Sequence, residues 1–158
     1  MLKIVSEKLL DELSLKAANS PRQRLNLNFH EELADPLNRM LNAFEPGTYI
    51  QPHKHENPDK REVFILLRGS MLMVIFDDSG TPIDFILLDP LKGTYAIEIP
   101  PRIWHSVISL EKGTVVYEIK DGPYLQASDK NFASWAPKEG DKSCNEYLVR
   151  LTEQFSSF

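Results

Sequence analysis

From Leu37 to Lys120 the chain runs as short apolar segments, each closed by a turn signal: Pro46-Gly47, Arg68-Gly69, Asp77-Asp78-Ser79-Gly80, Lys92-Gly93, Pro100-Pro101 and Lys112-Gly113. Strands at this pitch predict an all-β sandwich or barrel. Just before them, Leu25, Leu27 and Phe29 alternate with Asn26, Asn28 and His30, the period of a half-buried strand over 24–30. Each end of the chain has a helical period instead. Ser6 is placed to cap a helix carrying Leu9, Leu10, Leu13 and Ala17, which Ser20-Pro21 stops. Ser143-Cys144-Asn145-Glu146 fits a capping box ahead of Leu148, Leu151 and Phe155. Between the strands and the last helix, Tyr124, Phe132 and Trp135 mark a segment expected to pack along the body. The 158 residues read as one domain: a helix within 1–20, a β-barrel over 24–120, and an extension with a helix over 121–158.

Val63–Leu67 and Met71–Phe76 are apolar on both faces, whereas a sheet with one wet face alternates. Something must cover the outside, either the terminal helices or a second copy of the chain, and a homodimer is expected. Lys plus Arg number 18 against 23 for Asp plus Glu, a net charge of −5, which argues against nucleic acid as a partner. The single cysteine, Cys144, has no internal partner for a disulfide. Met1-Leu2-Lys3 does not open a signal peptide, and no apolar run is long enough to span a membrane, so a cytoplasmic location is expected.

Two of the four histidines, His53 and His55, form His-x-His in an expected strand, where period-2 geometry sends both imidazoles to one face. Two co-facial imidazoles make a chelate for a metal ion, and two surface histidines also satisfy the pattern. The surrounding sequence narrows the choice. Gly47 is followed by five residues and His53-Lys54-His55, and Glu62 by six residues and Gly69. This resembles the first motif of the cupin superfamily. Gly93, Pro100, Trp104 and His105 stand where the second motif would fall.

The resemblance implies a small double-sheet β-barrel of the cupin, or jelly-roll, type with the terminal helices packed outside. It also implies a metal site of His53, His55, Glu62 and His105. Such a donor set suits one divalent transition ion per chain, Fe, Mn, Ni, Co or Zn, and leaves an octahedral ion two positions for water or substrate. The chain departs from the pattern in three places. Six residues separate His55 from Glu62, more than the family usually has, which makes Asp59 a rival ligand. Arg102 stands where the second motif has glycine, and Ser109 replaces the usual asparagine. Over residues 3–140, the Asn-x-His strand, Pro-His-x-His, Ile-Pro before Trp-His, and Asp-Lys-Asn-Phe-Ala-Ser-Trp-Ala-Pro at 129–137 resemble the WbuC-type cupin-fold metalloproteins. That family is associated with bacterial polysaccharide clusters, which implies a small-molecule ligand such as a saccharide.

Several other residues are candidates for the pocket. By alternation Tyr49 and Gln51 share the face of His53 and His55, with Pro52 able to shift the phase. His30 and Tyr49 are the candidate catalytic groups. Asn28, on the polar face it shares with Asn26 and His30, is a candidate substrate ligand, as are Gln51, Arg68 and Arg102, the arginines as anion clamps. Tyr95, Glu98 and Tyr117 are further places for a base or phenol, and Trp104 faces away from His105 as core. Three functions fit: an isomerase or epimerase acting on a sugar or polyol, an Fe(II) oxygenase, and a non-catalytic metal-dependent carbohydrate-binding or regulatory module.

Overall fold

The structure is a computed structural model and describes residues 2–157. Helix α1 (Glu7–Ala18) opens where expected, with the Ser6 hydroxyl accepting from the Leu9 amide at 3.4 Å. Ten strands follow: β1 (Arg24–Asn28), β2 (Leu37–Phe44), β3 (His53–Lys54), β4 (Glu62–Arg68), β5 (Met71–Phe76), β6 (Pro82–Leu88), β7 (Ala96–Ile99), β8 (Trp104–Ser109), β9 (Thr114–Asp121) and β10 (Asn131–Phe132). Helix α2 (Cys144–Ser156) ends the chain. Ser143 occupies its N-cap without a side-chain hydrogen bond, so the expected capping box does not form there.

The strands make two antiparallel five-stranded sheets, ordered β1-β2-β9-β4-β7 and β10-β3-β8-β5-β6. Their inner faces meet over Phe44, Phe64, Leu66, Met71, Met73, Leu88, Val107 and Val116. The outer face of the first sheet, at Leu41, Ala43 and Val115, is covered by Leu10, Leu13 and Ala17 of α1. The outer face of the second, at Leu72, Val74, Phe76 and Ile108, is covered by Ala133, Ala136, Tyr147, Leu148 and Leu151. Helix α2 and the segment before it therefore account for the double-faced apolarity of β5. The strap carrying Tyr124, Phe132 and Trp135 packs on the body through Trp135, whose ring lies tilted 5.1 Å from Phe76 and edge-on 5.8 Å from Trp104, while Phe132 is exposed. The homodimer expectation then rests on the outer face of β4, where Val63 and Ile65 are half-buried and Leu67 is exposed. Sedimentation equilibrium giving twice 18.1 kDa would support it.

One turn glycine is needed for packing as well as conformation. Gly69, between β4 and β5, has φ +85°, and a Cβ there would lie 2.3 Å from Thr114 Oγ1 and 2.8 Å from Thr114 Cα. Thr114 is fully buried and its hydroxyl donates to the Glu111 and Ser70 carbonyls, so it has no room to yield. Gly69→Ala should lower the stability by about 2–4 kcal/mol, combining left-handed strain with a backbone clash. Urea unfolding would measure it.

Candidate metal centre

The inner faces change character along the sheets. Toward one end they are filled with apolar side chains, and toward the other they enclose a cavity of about 690 Å³. Strand β9 shows the change: Val116 packs in the core, while Glu118 and Lys120, further along the same face, line the cavity. In the second sheet β3 and β8 align His53 directly opposite His105, with ring centroids 4.5 Å apart. His55 follows β3, and Glu62 enters from the first residue of β4 in the opposite sheet. The four side chains are almost wholly buried, and one donor atom from each lies within 4.8 Å of all the others.

Backbone carbonyls orient the imidazoles. His53 Nδ1 donates to Gln51 O at 3.0 Å, His105 Nδ1 to Ile103 O at 2.9 Å, and His55 Nδ1 to Asp129 O. A carbonyl can only accept, so each Nδ1 carries the hydrogen and each Nε2 turns a lone pair inward. His55 Nε2 lies 3.0 Å from Glu62 Oε1, and His105 Nε2 lies 3.1 Å from Glu62 Oε2. The first of these contacts lacks hydrogen-bond alignment and leaves His55 Nε2 a buried nitrogen without a hydrogen-bond partner. Lone pairs facing a carboxylate at such distances require a proton or a cation between them. Burial, reinforced by the nearby Lys130 charge, holds the His53 imidazole well below its usual pKa, hence neutral. Burial alone would raise the Glu62 carboxyl, but the close His105 and His55 imidazoles outweigh it and hold the group well below the usual range. A neutral His53 and an ionised Glu62 are protonation states that a divalent transition ion requires, and with three inward-facing Nε2 atoms the residues fit such an ion.

A charged layer surrounds this centre. Asp129 receives Lys60 Nζ on Oδ1 at 2.8 Å and Lys120 Nζ on Oδ2 at 2.6 Å. Lys120 also lies 3.7 Å from Glu62, and Asn42 donates to Glu118 at 2.5 Å. Burial and the neighbouring Glu62 charge push the Glu118 carboxyl up to about 7, against the pull of Lys120 and Lys130. These partners orient the ligands they touch, as outer partners of metal sites do.

Of the expected pocket residues, His30, Asn26 and Asn28 line the cavity, with His30 Nδ1 3.2 Å from the Arg39 amide. The structure corrects the placement of Tyr49 and Gln51. The segment before His53 forms no strand, so alternation does not run through Pro52, and Ile50 lines the cavity in their place. Tyr49 turns outward, donating to Pro137 O at 2.6 Å and lying edge-on to Tyr147, while Gln51 Nε2 donates to Ala133 O at 2.9 Å. Arg68 is also outside: at the end of β4 it binds Asp11 at 2.6 Å and the Ser14 hydroxyl at 2.7 Å, tying α1 to the sheet. Arg102 is exposed and pairs with Asp59 at 3.0 Å, which removes both the clamp and the rival ligand from the cavity. Tyr95 and Glu98 are exposed, and Tyr117 stacks on Phe29 beneath α1. Trp104 faces away from His105 and donates to Asp78 at 2.9 Å.

Arg102 does adopt the conformation of the glycine it replaces, with φ +69°. Arg102→Gly should relieve that strain and leave both melting temperature and metal content undiminished. Loss of metal in this variant would mean that the Arg102–Asp59 contact holds the preceding loop over the centre.

Sequence reasoning missed Glu118, Lys120, Asp129 and Lys130. The first two had a signal, since period 2 puts them on the face of Val116. Asp129 and Lys130 sit in a loop without periodicity.

A family model described as a domain of unknown function (DUF6016) matches residues 5–88, a span that holds His53, His55 and Glu62 but not His105. No curated protein matches the chain. Solved structures share its fold. KdgF from Halomonas sp. aligns with a TM-score of 0.51 at 17% identity, over 69% of this chain and 86% of its own. A cupin superfamily protein from Desulfitobacterium hafniense aligns with a TM-score of 0.51 at 15% identity, over 69% of this chain and 86% of its own. The capsular polysaccharide assembling protein CapF from Staphylococcus aureus aligns with a TM-score of 0.56 at 17% identity, over 68% of this chain, which spans only 28% of CapF. At these identities the likeness is one of fold, and the fold is the cupin jelly roll. Among the described residues no helix is long and apolar enough to cross a membrane.

Proposed function

We propose a function for a chain that belongs to the DUF6016 family: a metal-dependent isomerase or epimerase of the WbuC type that acts on a sugar or polyol derivative. The observation that carries it is the convergence of three carbonyl-oriented imidazoles and Glu62 on the wall of a cavity of about 690 Å³. His53, His55, Glu62 and His105 would hold a divalent ion, which would supply Lewis-acid polarisation of a substrate oxygen. The rest of the work falls to the chain's own groups. Asn26, Asn28 and Asn42 present neutral amides to substrate hydroxyls, and His30 adds an imidazole to the same wall. Glu118, steadied by Asn42, is the carboxylate placed to take a proton from substrate carbon at its carboxyl oxygen and return it. A place in saccharide assembly is further supported by the fold shared with the CapF protein.

Isomerase chemistry exchanges a carbon-bound hydrogen with solvent. With metal-loaded protein in D₂O, NMR should show deuterium entering the carbon next to a substrate carbonyl. Glu118→Gln should abolish the exchange, and His30→Ala should slow it while leaving the metal in place. Saturable binding without exchange under any divalent ion would favour the binding module. Oxygen uptake coupled to substrate loss with Fe(II) would favour the oxygenase.

A further inference from the structure

The strap between β9 and β10 delivers a lysine into the cavity. Lys130 follows Asp129 and precedes β10, whose Asn131 and Phe132 pair in register with Lys54 and His53. Its side chain thus joins the lining that holds His53, Glu62 and His105. The other cations of that lining are matched. Arg22 and Arg24 meet Glu139 at 2.6 and 2.8 Å, and Lys120 meets Asp129 at 2.6 Å. The remaining oxygen of Asp129 is taken by Lys60 at 2.8 Å, so Asp129 has none to spare for Lys130. Among the described residues no carboxylate is close enough to pair with the Lys130 ammonium. A partly buried ammonium without a counter-ion is a costly feature, and here it faces the substrate space.

We propose that Lys130 recognises a carboxylate on the ligand of the metal centre, so that the natural ligand is a sugar acid or related hydroxy acid rather than a neutral sugar. The inference rests on the reading of the centre given above. Charge balance supports it. The lining carries four cations, Arg22, Arg24, Lys120 and Lys130, against three carboxylates, Glu62, Glu118 and Asp129. A divalent ion leaves that wall in positive excess, which a neutral polyol does not relieve and an anionic ligand does. Carboxylate suits the site better than phosphate, because a lone ammonium offers one point of charge, whereas phosphate sites gather arginine forks or several backbone amides. The asparagines of β1 then face the hydroxyl-bearing remainder of the molecule.

Calorimetry on the Co(II)-loaded protein, with gluconate, glucitol and inorganic phosphate as probes, tests this. Gluconate should bind at least about tenfold more tightly than glucitol, the scale of one charge-assisted hydrogen bond. Lys130→Met should erase that preference and leave glucitol unchanged, while Lys130→Arg should keep most of it. The visible spectrum of Co(II) should shift with gluconate in the parent protein at concentrations where Lys130→Met shows no change. Equal affinity for gluconate and glucitol, or a preference that survives Lys130→Met, would overturn the inference. Phosphate binding as tight as gluconate and equally sensitive to Lys130→Met would overturn the choice of carboxylate. If no Co(II) is taken up, the metal reading fails on its own. Labelling of the metal-free protein with acetic anhydride then decides for Lys130: gluconate should protect it and glucitol should not, and equal labelling under both refutes it.

Discussion

Replacing His105 by alanine should yield a protein that folds and no longer retains a stoichiometric divalent ion. His105 stands opposite His53 across the β3–β8 pair, and its Nε2 lies 3.1 Å from Glu62, so it bridges the donors of the two sheets. Outer partners of metal ligands are worth about 10–100-fold in affinity, and a direct donor should exceed that. Metal analysis after dialysis against a chelator measures the loss. The fold should persist, because the apolar layer around Phe64, Met71, Met73 and Val116 is packed without the ligands. Asp59→Ala is the control, since that carboxylate is engaged by Arg102 at the surface. Retention of metal by His105→Ala together with its loss in Asp59→Ala would overturn the assignment.

Asp129→Leu should be the most destabilising substitution in the polar part of the molecule. It strands two buried ammonium groups, Lys60 and Lys120, whose side chains are 1% and 4% exposed. Removing one partner of a buried ion pair costs about 3–5 kcal/mol. For a chain of this size that is a fall in melting temperature of roughly 6–20 °C. Lys60→Met in the same chain should recover part of it, since the stranded charge goes with it. Asp129 also predicts the acid limb of the stability curve. Burial would raise its carboxyl, but Lys120 and Lys60 outweigh that and hold it below its ordinary value. A depressed carboxylate contributes stability above its unfolded pKa, about 3.9, and loses it as pH falls through the lower folded value. The stability of Asp129→Asn should therefore vary less with pH below about 4 than that of the parent. Metal affinity should fall as well, because the Asp129 carboxylate anchors the loop whose main-chain carbonyl orients His55.

The candidate ligands were legible chiefly through the resemblance to the paired cupin motifs, which implied all four, and local pattern supported only part of the set. His53 and His55 are separated by one residue, and Glu62 begins a strand whose alternate residues Phe64 and Leu66 are core. The helices were legible from Leu10, Leu13 and Ala17 at one end and Leu148 and Leu151 at the other. Alternation failed at Tyr49 and Gln51, where Pro52 interrupts pairing before β3 begins. Arg68 and Arg102 carry charge at positions that a local pattern can equally assign to a pocket or to a surface pair. Only their partners, Asp11 and Asp59, decide, and both are distant in sequence. Asp129 and Lys130 open the 129–137 stretch of the family resemblance but had no periodicity to place them in the cavity, because a loop residue is placed by what the rest of the chain leaves for it to contact.

The strap that closes over the second sheet also orders events in time. All four ligands lie before residue 106, but the carbonyl that orients His55 and the carboxylate that neutralises Lys60 and Lys120 belong to residue 129. During synthesis that residue leaves the ribosome after every ligand, at about 5–20 residues per second. Until it docks, His55 lacks its orienting carbonyl and the two lysines lack their counter-ion. Until residue 129 docks, the four side chains would therefore hold a divalent ion less tightly than in the folded protein.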